Sequence, residues 1–385
     1  MESTIQTVTS ECSRIAYLCL LRAALWNELP EISNQFYWND VIQIGENQST
    51  LPIICQSALQ LDGEFAPPFE IRTFMLAKLG ENSRQYAILN EYMKCAIERM
   101  RVHGIEPVLL KGAGLAYNYP FPEFRQCGDI DLYVGLEHYH EGCAAMREMS
   151  DFHNWGIENE RNMHYNIEKG DVVIETHRMT AILHDSEDDT FYQKISAEGL
   201  SDGLHCVEID GFPVSLPSDT YNVFYVFYHA WHHFLSSGVG FRQICDWSLL
   251  LHSLYGKIDL PKLKGYIDGL GLMKAWKTFG WIAVEKLGLP KEEMPFYDSS
   301  FSGGAAKVLE YIWKEGNFAG SWHLTEKKRV NVFTRLATGL KTTFSDFPKL
   351  WCVSHDLAFR EAAKTFRFYV RKLPKYMKGG IVVEN

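Results

Sequence analysis

Four groups of residues have types and spacings that could do chemistry. Gly128-Asp129-Ile130-Asp131 lies in a run that alternates like a strand. Side chains two apart on a strand share a face, so Asp129 and Asp131 point the same way. Adjacent carboxylates on one face repel until a cation neutralises them, and hard oxygen ligands suit Mg²⁺. Glu175 and His177, in Asp171-Val-Val-Ile-Glu-Thr-His, share a face by the same period and offer a third carboxylate. Lys111-Gly112-Ala113-Gly114 closes an apolar run and opens a short helical one. Such a turn lets backbone N–H groups approach a phosphate, with Lys111 as a point charge. The spacing is not that of a Walker A loop. The fourth group, His229-Ala-Trp-His232-His233, precedes Arg242 and Asp246. Three histidines one helical turn apart could ligate zinc, but no carboxylate accompanies them. They are read instead as a wall beside the site, with His233 or Arg242 facing the cleft. Arg242 and Asp246, four apart, are expected to pair on one helix face.

These groups need elements to hold them. Helical periodicity predicts helices over 11–30, 40–61 and 70–103. Pro107 to Leu110 reads as a buried strand, Ala113 to Tyr119 as a helix stopped by Pro120, and Asp129 to Val134 as a second strand. Leu136 to Ser150 is helix-like. Met163–Ile167 and Val172–His177 read as strands joined at Lys169-Gly170-Asp171, and Cys206–Leu216 as a hairpin around Asp210-Gly211. Helices dominate from Ser218. Strands and helices segregate, which predicts an α+β fold. The division expected is a helical N-terminal region (1–104), a small β-containing core (105–217) and a helical C-terminal region (218–385). Asp298–Gly304, rich in Gly and Ser, is the best linker candidate.

Composition limits the alternatives. The chain has 385 residues, 46% of them hydrophobic, and a net charge of −10, which argues against a nucleic-acid coating protein. The nine cysteines are scattered without a C-x-x-C pair, as expected of reduced thiols in a cytoplasm. The N-terminal stretch lacks a basic segment and is broken by Arg22, and no run reaches the roughly 18 apolar residues of a membrane span. A soluble, cytoplasmic protein is the expectation. Charge is uneven: from residue 321 onward thirteen Lys+Arg face five Asp+Glu. Ala358 to Tyr376 reads as a basic amphipathic helix that docks on an acidic body or meets an anionic partner.

The order strand, Lys111-Gly112 turn, helix, Tyr119-Pro120, Arg125, Gly128-Asp129-Ile130-Asp131, then an acidic-x-His strand resembles the nucleotidyltransferase superfamily with the polymerase-β-like fold. It is most similar to a bacterial family of uncharacterised nucleotidyltransferases. The resemblance covers about residues 105–180, and Val214 to about Leu251 is similar to the helical segment that follows that core. It implies a small mixed sheet with helices, flanked by helical regions. It implies Asp129, Asp131 and Glu175 as catalytic metal ligands, the last at a position more often Asp. Lys111, Gly112, Gly114, Arg125, Gly128, His177 and Arg242 would then face the nucleotide. Two Mg²⁺ ions, a nucleoside triphosphate and an unidentified hydroxyl-bearing acceptor would complete the site, Glu175 serving as base if it is not fully occupied by metal. A Lys-Gly pair replaces the superfamily's usual glycine-serine. Abortive-infection toxins share the layout, so a tRNA-modifying toxin and a non-catalytic nucleotide-binding or interaction protein remain alternative readings.

Overall fold

Strands form where the sequence alternates, and they join one sheet. A computed structural model describes residues 2–150, 162–183, 185–317 and 346–378. Strands β1 (Val108–Leu109), β2 (Asp129–Tyr133), β3 (His164–Lys169), β4 (Val172–His177), β5 (His205–Ile209) and β6 (Phe212–Leu216) lie in the order β3-β4-β2-β1-β6-β5. β2 is parallel to β4 and antiparallel to β1, and β1 is parallel to β6. Two antiparallel hairpins, β3–β4 and β5–β6, form the edges. The second turns at Asp210-Gly211, where φ is 48° and 71°, the left-handed pair a tight two-residue hairpin needs. The sheet is mixed, as an α+β fold predicts.

One face of the sheet is apolar. Ile130, Leu132, Ile167, Val172 and Ile174 are buried with residues of α4 (Phe69–Val102) and α6 (Tyr139–Arg147). Period two then sends Asp129, Asp131, Glu175 and His177 to the opposite face. Apolar burial on one face therefore fixes where the polar groups go, because a one-residue slip would drive them into the apolar layer instead.

The polar face is covered by helices from both ends of the chain. Helices α1 (Glu2–Trp26), α2 (Trp38–Asn47) and α3 (Leu51–Ala58) share one hydrophobic cluster with α8 (Asp219–Ser236), α9 (Phe241–Ser253), α11 (Met273–Glu285) and α12 (Ser302–Glu315). Trp26 Nε1 donates to the Leu287 carbonyl at 2.6 Å, and Gln48 Nε2 to that of Ile312 at 2.9 Å. Trp247, Trp276 and Phe227 are fully buried at its centre; truncating any one to Ala costs about 3–5 kcal/mol. The helix expected over 40–61 is split. Ser49 takes φ 53°, and Pro52, which cannot donate within a helix, opens α3.

Asp298–Gly304 is not a linker. Asp298 pairs with Lys277 at 3.0 Å and accepts from the Ser300 backbone, and α12 starts at Ser302. A Cβ on Gly304 would stand 3.2 Å from the Cys352 carbonyl, so the small residue serves a close approach. Helices α5 (Ala113–Ala116), α7 (Ser186–Gly199) and α10 (Leu260–Gly269) fill the remaining joints, α7 in a stretch for which no helix was expected. A helical segment over 346–353 leads into α14 (His355–Lys378); the former is α13. Of the basic residues of α14 among the described side chains, Arg360 donates to the Leu270 and Gly271 carbonyls and Lys364 pairs with Asp188, whereas Arg367 is exposed. The rest of the basic segment, 321–345 and 379–385, lies outside the described residues. Among the described residues no helix is long and apolar enough to cross a membrane.

Candidate active site

Register assembles the strand side of the site. The parallel β2–β4 pairing sets Asp131 beside Glu175, and the β3–β4 hairpin sets His164 opposite His177 and Asn166 opposite Glu175. His177 Nε2 lies 2.9 Å from Asp131 Oδ1 and 3.0 Å from Glu175 Oε2. Lys111 Nζ reaches the same Asp131 oxygen at 3.1 Å. Asn166 Nδ2 donates to Glu175 Oε1 at 3.4 Å, and His164 Nδ1 stands 3.8 Å from Glu175 Oε2. Asp131 is 1% exposed and its second oxygen is buried without a hydrogen-bond partner. Asp129 sits one strand repeat away on the same face.

Burial alone would discharge His177, Glu175 and Lys111, and the ion pairs prevent it. For His177, burial works against the charge, but the bonds to Asp131 and Glu175 outweigh it and push the pKa up to about 9. For Glu175, burial raises and the His177 contact lowers, leaving the carboxyl at about 2. Burial opposes the Lys111 charge too, and Asp131 and Asp129 carry its pKa above the usual range. His164 is lowered, first by burial, with Glu175 pulling the other way.

The turn between β1 and α5 is shaped by its glycines. Gly112 has φ 53° and ψ −116°, a region open to glycine alone, and a Cβ there would stand 3.2 Å from Cys127 Sγ. Gly114 is a packing residue, with Leu109 and Leu216 within 3.3 Å of where its Cβ would be. α5 spans four residues, too few for an appreciable helix dipole.

The helical side is built differently. Arg125 Nε and Nη2 donate to the two oxygens of Asp246 at 3.0 and 2.6 Å, and Tyr119 adds its hydroxyl at 2.7 Å. Arg125 and Asp246 are 5% and 4% exposed. The expected Arg242–Asp246 pair does not form, because Asp246 is taken by Arg125. Arg242 instead donates to the Gln126 carbonyl at 3.0 Å, the acceptor Arg125 Nη1 also uses at 3.1 Å. Among the described residues the Arg242 guanidinium has no carboxylate within ion-pairing distance, and burial, then Arg125, lowers its pKa. Tyr225, His229 and His233 follow one another along α8, with ring centroids 6.2 and 4.4 Å apart. Burial, then Lys111, holds His229 well below the ordinary histidine range; the same causes bring His233 down to about 4. His232 is exposed, and among the described residues the three imidazoles do not form a metal-ligating cluster. A pocket of about 500 Å³ opens beside Gly128, lined by Gln126, Arg242 and, from α4, Lys78 and Gln85.

Asp131, Glu175, His177 and Lys111 thus meet at contact distance, with Asp129 and Gly112 beside them. Gly128 and Arg242 line the adjoining pocket, Arg125 faces Asp246, and Gly114 lies in the packing. Sequence reasoning missed His164 and Asn166, which the hairpin register alone brings in. It also missed Tyr225, three residues into an unbroken apolar run with no period to mark it.

The profile of a family described as uncharacterised nucleotidyltransferases matches residues 34–288. The chain belongs to that family. The nucleotidyltransferase match takes in the whole sheet, the Lys111-Gly112 turn and both α8 and α9, hence every residue of the site. No curated protein and no solved structure matches the chain.

Proposed function

We propose that this nucleotidyltransferase carries a polymerase-β-like core and moves a nucleoside monophosphate from a nucleoside triphosphate to a hydroxyl-bearing acceptor, with a divalent cation. One observation carries the reading: within the matched residues, two carboxylates from parallel strands meet a lysine at the end of the neighbouring strand. Asp131 and Glu175 converge with Lys111, and Asp129 shares their face. The donor set fits a cation, because the second oxygen of Asp131 is buried and unpartnered beside two further carboxylates. Asp129, Asp131 and Glu175 would hold divalent cations, Mg²⁺ being the one that accompanies the triphosphate. When bound, the ion would neutralise phosphate charge and activate the acceptor oxygen.

The remaining work falls to the chain. In the reaction the acceptor oxygen bonds to the α-phosphorus, the bond from that phosphorus to the bridging oxygen breaks, and pyrophosphate leaves. Lys111 fixes Asp131 and adds positive charge near the α-phosphate. Arg242, lacking an acid partner, receives the triphosphate. Glu175, kept ionised by His177, orients the acceptor hydroxyl. Arg125 is a positioning residue: its grip on Asp246 and Gln126 sets the Arg242 side chain. The test is pyrophosphate release from each of the four nucleoside triphosphates with Mg²⁺, in the presence of a metabolite extract. Release that needs the extract and disappears in Asp129→Ala and Asp131→Ala supports the proposal. Equal release by the wild type and either variant contradicts it.

A further inference from the structure

The cation site has a second half that carboxylate chemistry does not explain. His164, Glu175 and His177 place one ligand atom each within 4.8 Å of one another. The two imidazole rings come from facing positions of the β3–β4 hairpin, with centroids 4.9 Å apart. His177 Nε2 already lies 2.9 and 3.0 Å from Asp131 Oδ1 and Glu175 Oε2. Two ligands each about 2.1 Å from a shared ion, at 90–110° to one another, stand roughly 3.0–3.4 Å apart. His177 Nε2 therefore stands from Asp131 Oδ1 and Glu175 Oε2 at the spacing of co-ligands of one ion, and His164 Nδ1, 3.8 Å from Glu175 Oε2, stands just outside that spacing.

Burial supports the same conclusion independently. Asp131 is 1% exposed and its Oδ2 is buried without a partner. His164 Nδ1 is a second buried atom without a hydrogen bond. Leaving such a group unpaired is costly, and the two lie together on one sheet face. Mg²⁺ relieves the oxygen and leaves the imidazoles unused, because it prefers an all-oxygen octahedron. Imidazole with carboxylate is the donor set of first-row transition ions.

We propose that the cation held by Glu175 is a first-row transition-metal dication, bound through the imidazoles of His164 and His177 together with Asp131 and Glu175. This goes beyond nucleotide transfer and does not depend on it, since the ion can be bound and observed with no nucleotide present. Asp129, one strand repeat away, is left for the cation that accompanies a triphosphate.

The experiment titrates Co²⁺ into the full-length, chelator-stripped protein and records its visible absorption, followed by competition with Mg²⁺ and Zn²⁺. The expected result is one Co²⁺ per chain with ligand-field bands that Zn²⁺ abolishes, and Mg²⁺ failing to displace it at about 100-fold excess. His164→Ala, on a partly exposed edge strand, should keep the wild-type melting temperature yet weaken Co²⁺ binding about 10–100-fold and shift the bands. His177→Asn should lose the bands entirely. Equal affinity for Mg²⁺ and Co²⁺, or His164→Ala with unchanged bands and affinity, overturns the proposal. Loss of pyrophosphate release with intact Co²⁺ bands would count against the transfer reaction and not against this site.

Discussion

The strand wall and the helical wall of the site handle charge in opposite ways. On the strand wall, Asp131, Glu175, His177 and Lys111 neutralise one another at contact distance. On the helical wall, one guanidinium is fully paired and its neighbour is not: Arg125 takes both oxygens of Asp246, and Arg242 is left with a carbonyl. The histidines of α8 follow the helical pattern, held uncharged by burial and by Lys111. The difference separates roles. A wall whose acids are paired by a proton or an ammonium can exchange those for a metal ion. A wall with an unpaired guanidinium has room for an anion, and the triphosphate is the anion that this reaction supplies.

The largest expected effect falls on the strand wall. Asp129→Asn and Asp131→Asn remove transition-state stabilisation worth several kcal/mol, so turnover should drop about 10³-fold or more, measured as pyrophosphate release. Next comes the paired half of the helical wall. Asp246→Ala leaves Arg125 buried and unpaired, and denaturant melts should show about 3–5 kcal/mol of lost stability. The unpaired half should respond in the contrary sense. Arg242→Ala should leave the melt within about 0.5 kcal/mol and weaken triphosphate binding about 10–100-fold, the value of a charge-assisted hydrogen bond. A variant of Arg242 as unstable as Asp246→Ala would erase the distinction between the two guanidinium groups.

The smallest effect is a pH slope. His233 titrates at about 4 in the folded chain, below the roughly 6.5 of an unfolded histidine. The unfolded state therefore binds more protons between those values, and stability is lost as pH falls from about 6.5 to 4. Lys111, His232 and Arg242 disfavour its charge and Asp129 favours it. His233→Gln should flatten the slope by up to ~1.4 kcal/mol per pH unit. An unchanged slope would mean that His233 is not held neutral.

The strand wall was legible in the sequence because period two is local. Asp129 with Asp131, and Glu175 with His177, could be placed on shared faces from spacing alone, and β4 runs over the expected residues, Val172 to His177. The helical wall was not. Asp246 lies 121 residues from Arg125, and the local rule that pairs residues four apart pointed to Arg242 instead. His164 was hidden for the same reason: it is a bare histidine until the hairpin register sets it opposite His177. The Asp298–Gly304 stretch misled in another way. Small residues permit close packing as readily as phosphate approach or linker motion, and composition does not separate these uses.

The claim that a cation and a triphosphate share this cleft is tested most directly by thermal shift of the full chain with each of the four nucleoside triphosphates, with and without a divalent cation. A ligand that binds only the folded state raises stability by RT ln(1 + [L]/Kd). At least one triphosphate should raise the melting temperature, only when the cation is present, and Asp129→Asn should abolish the rise. A flat response to all four, or a rise unchanged in Asp129→Asn, would contradict the account.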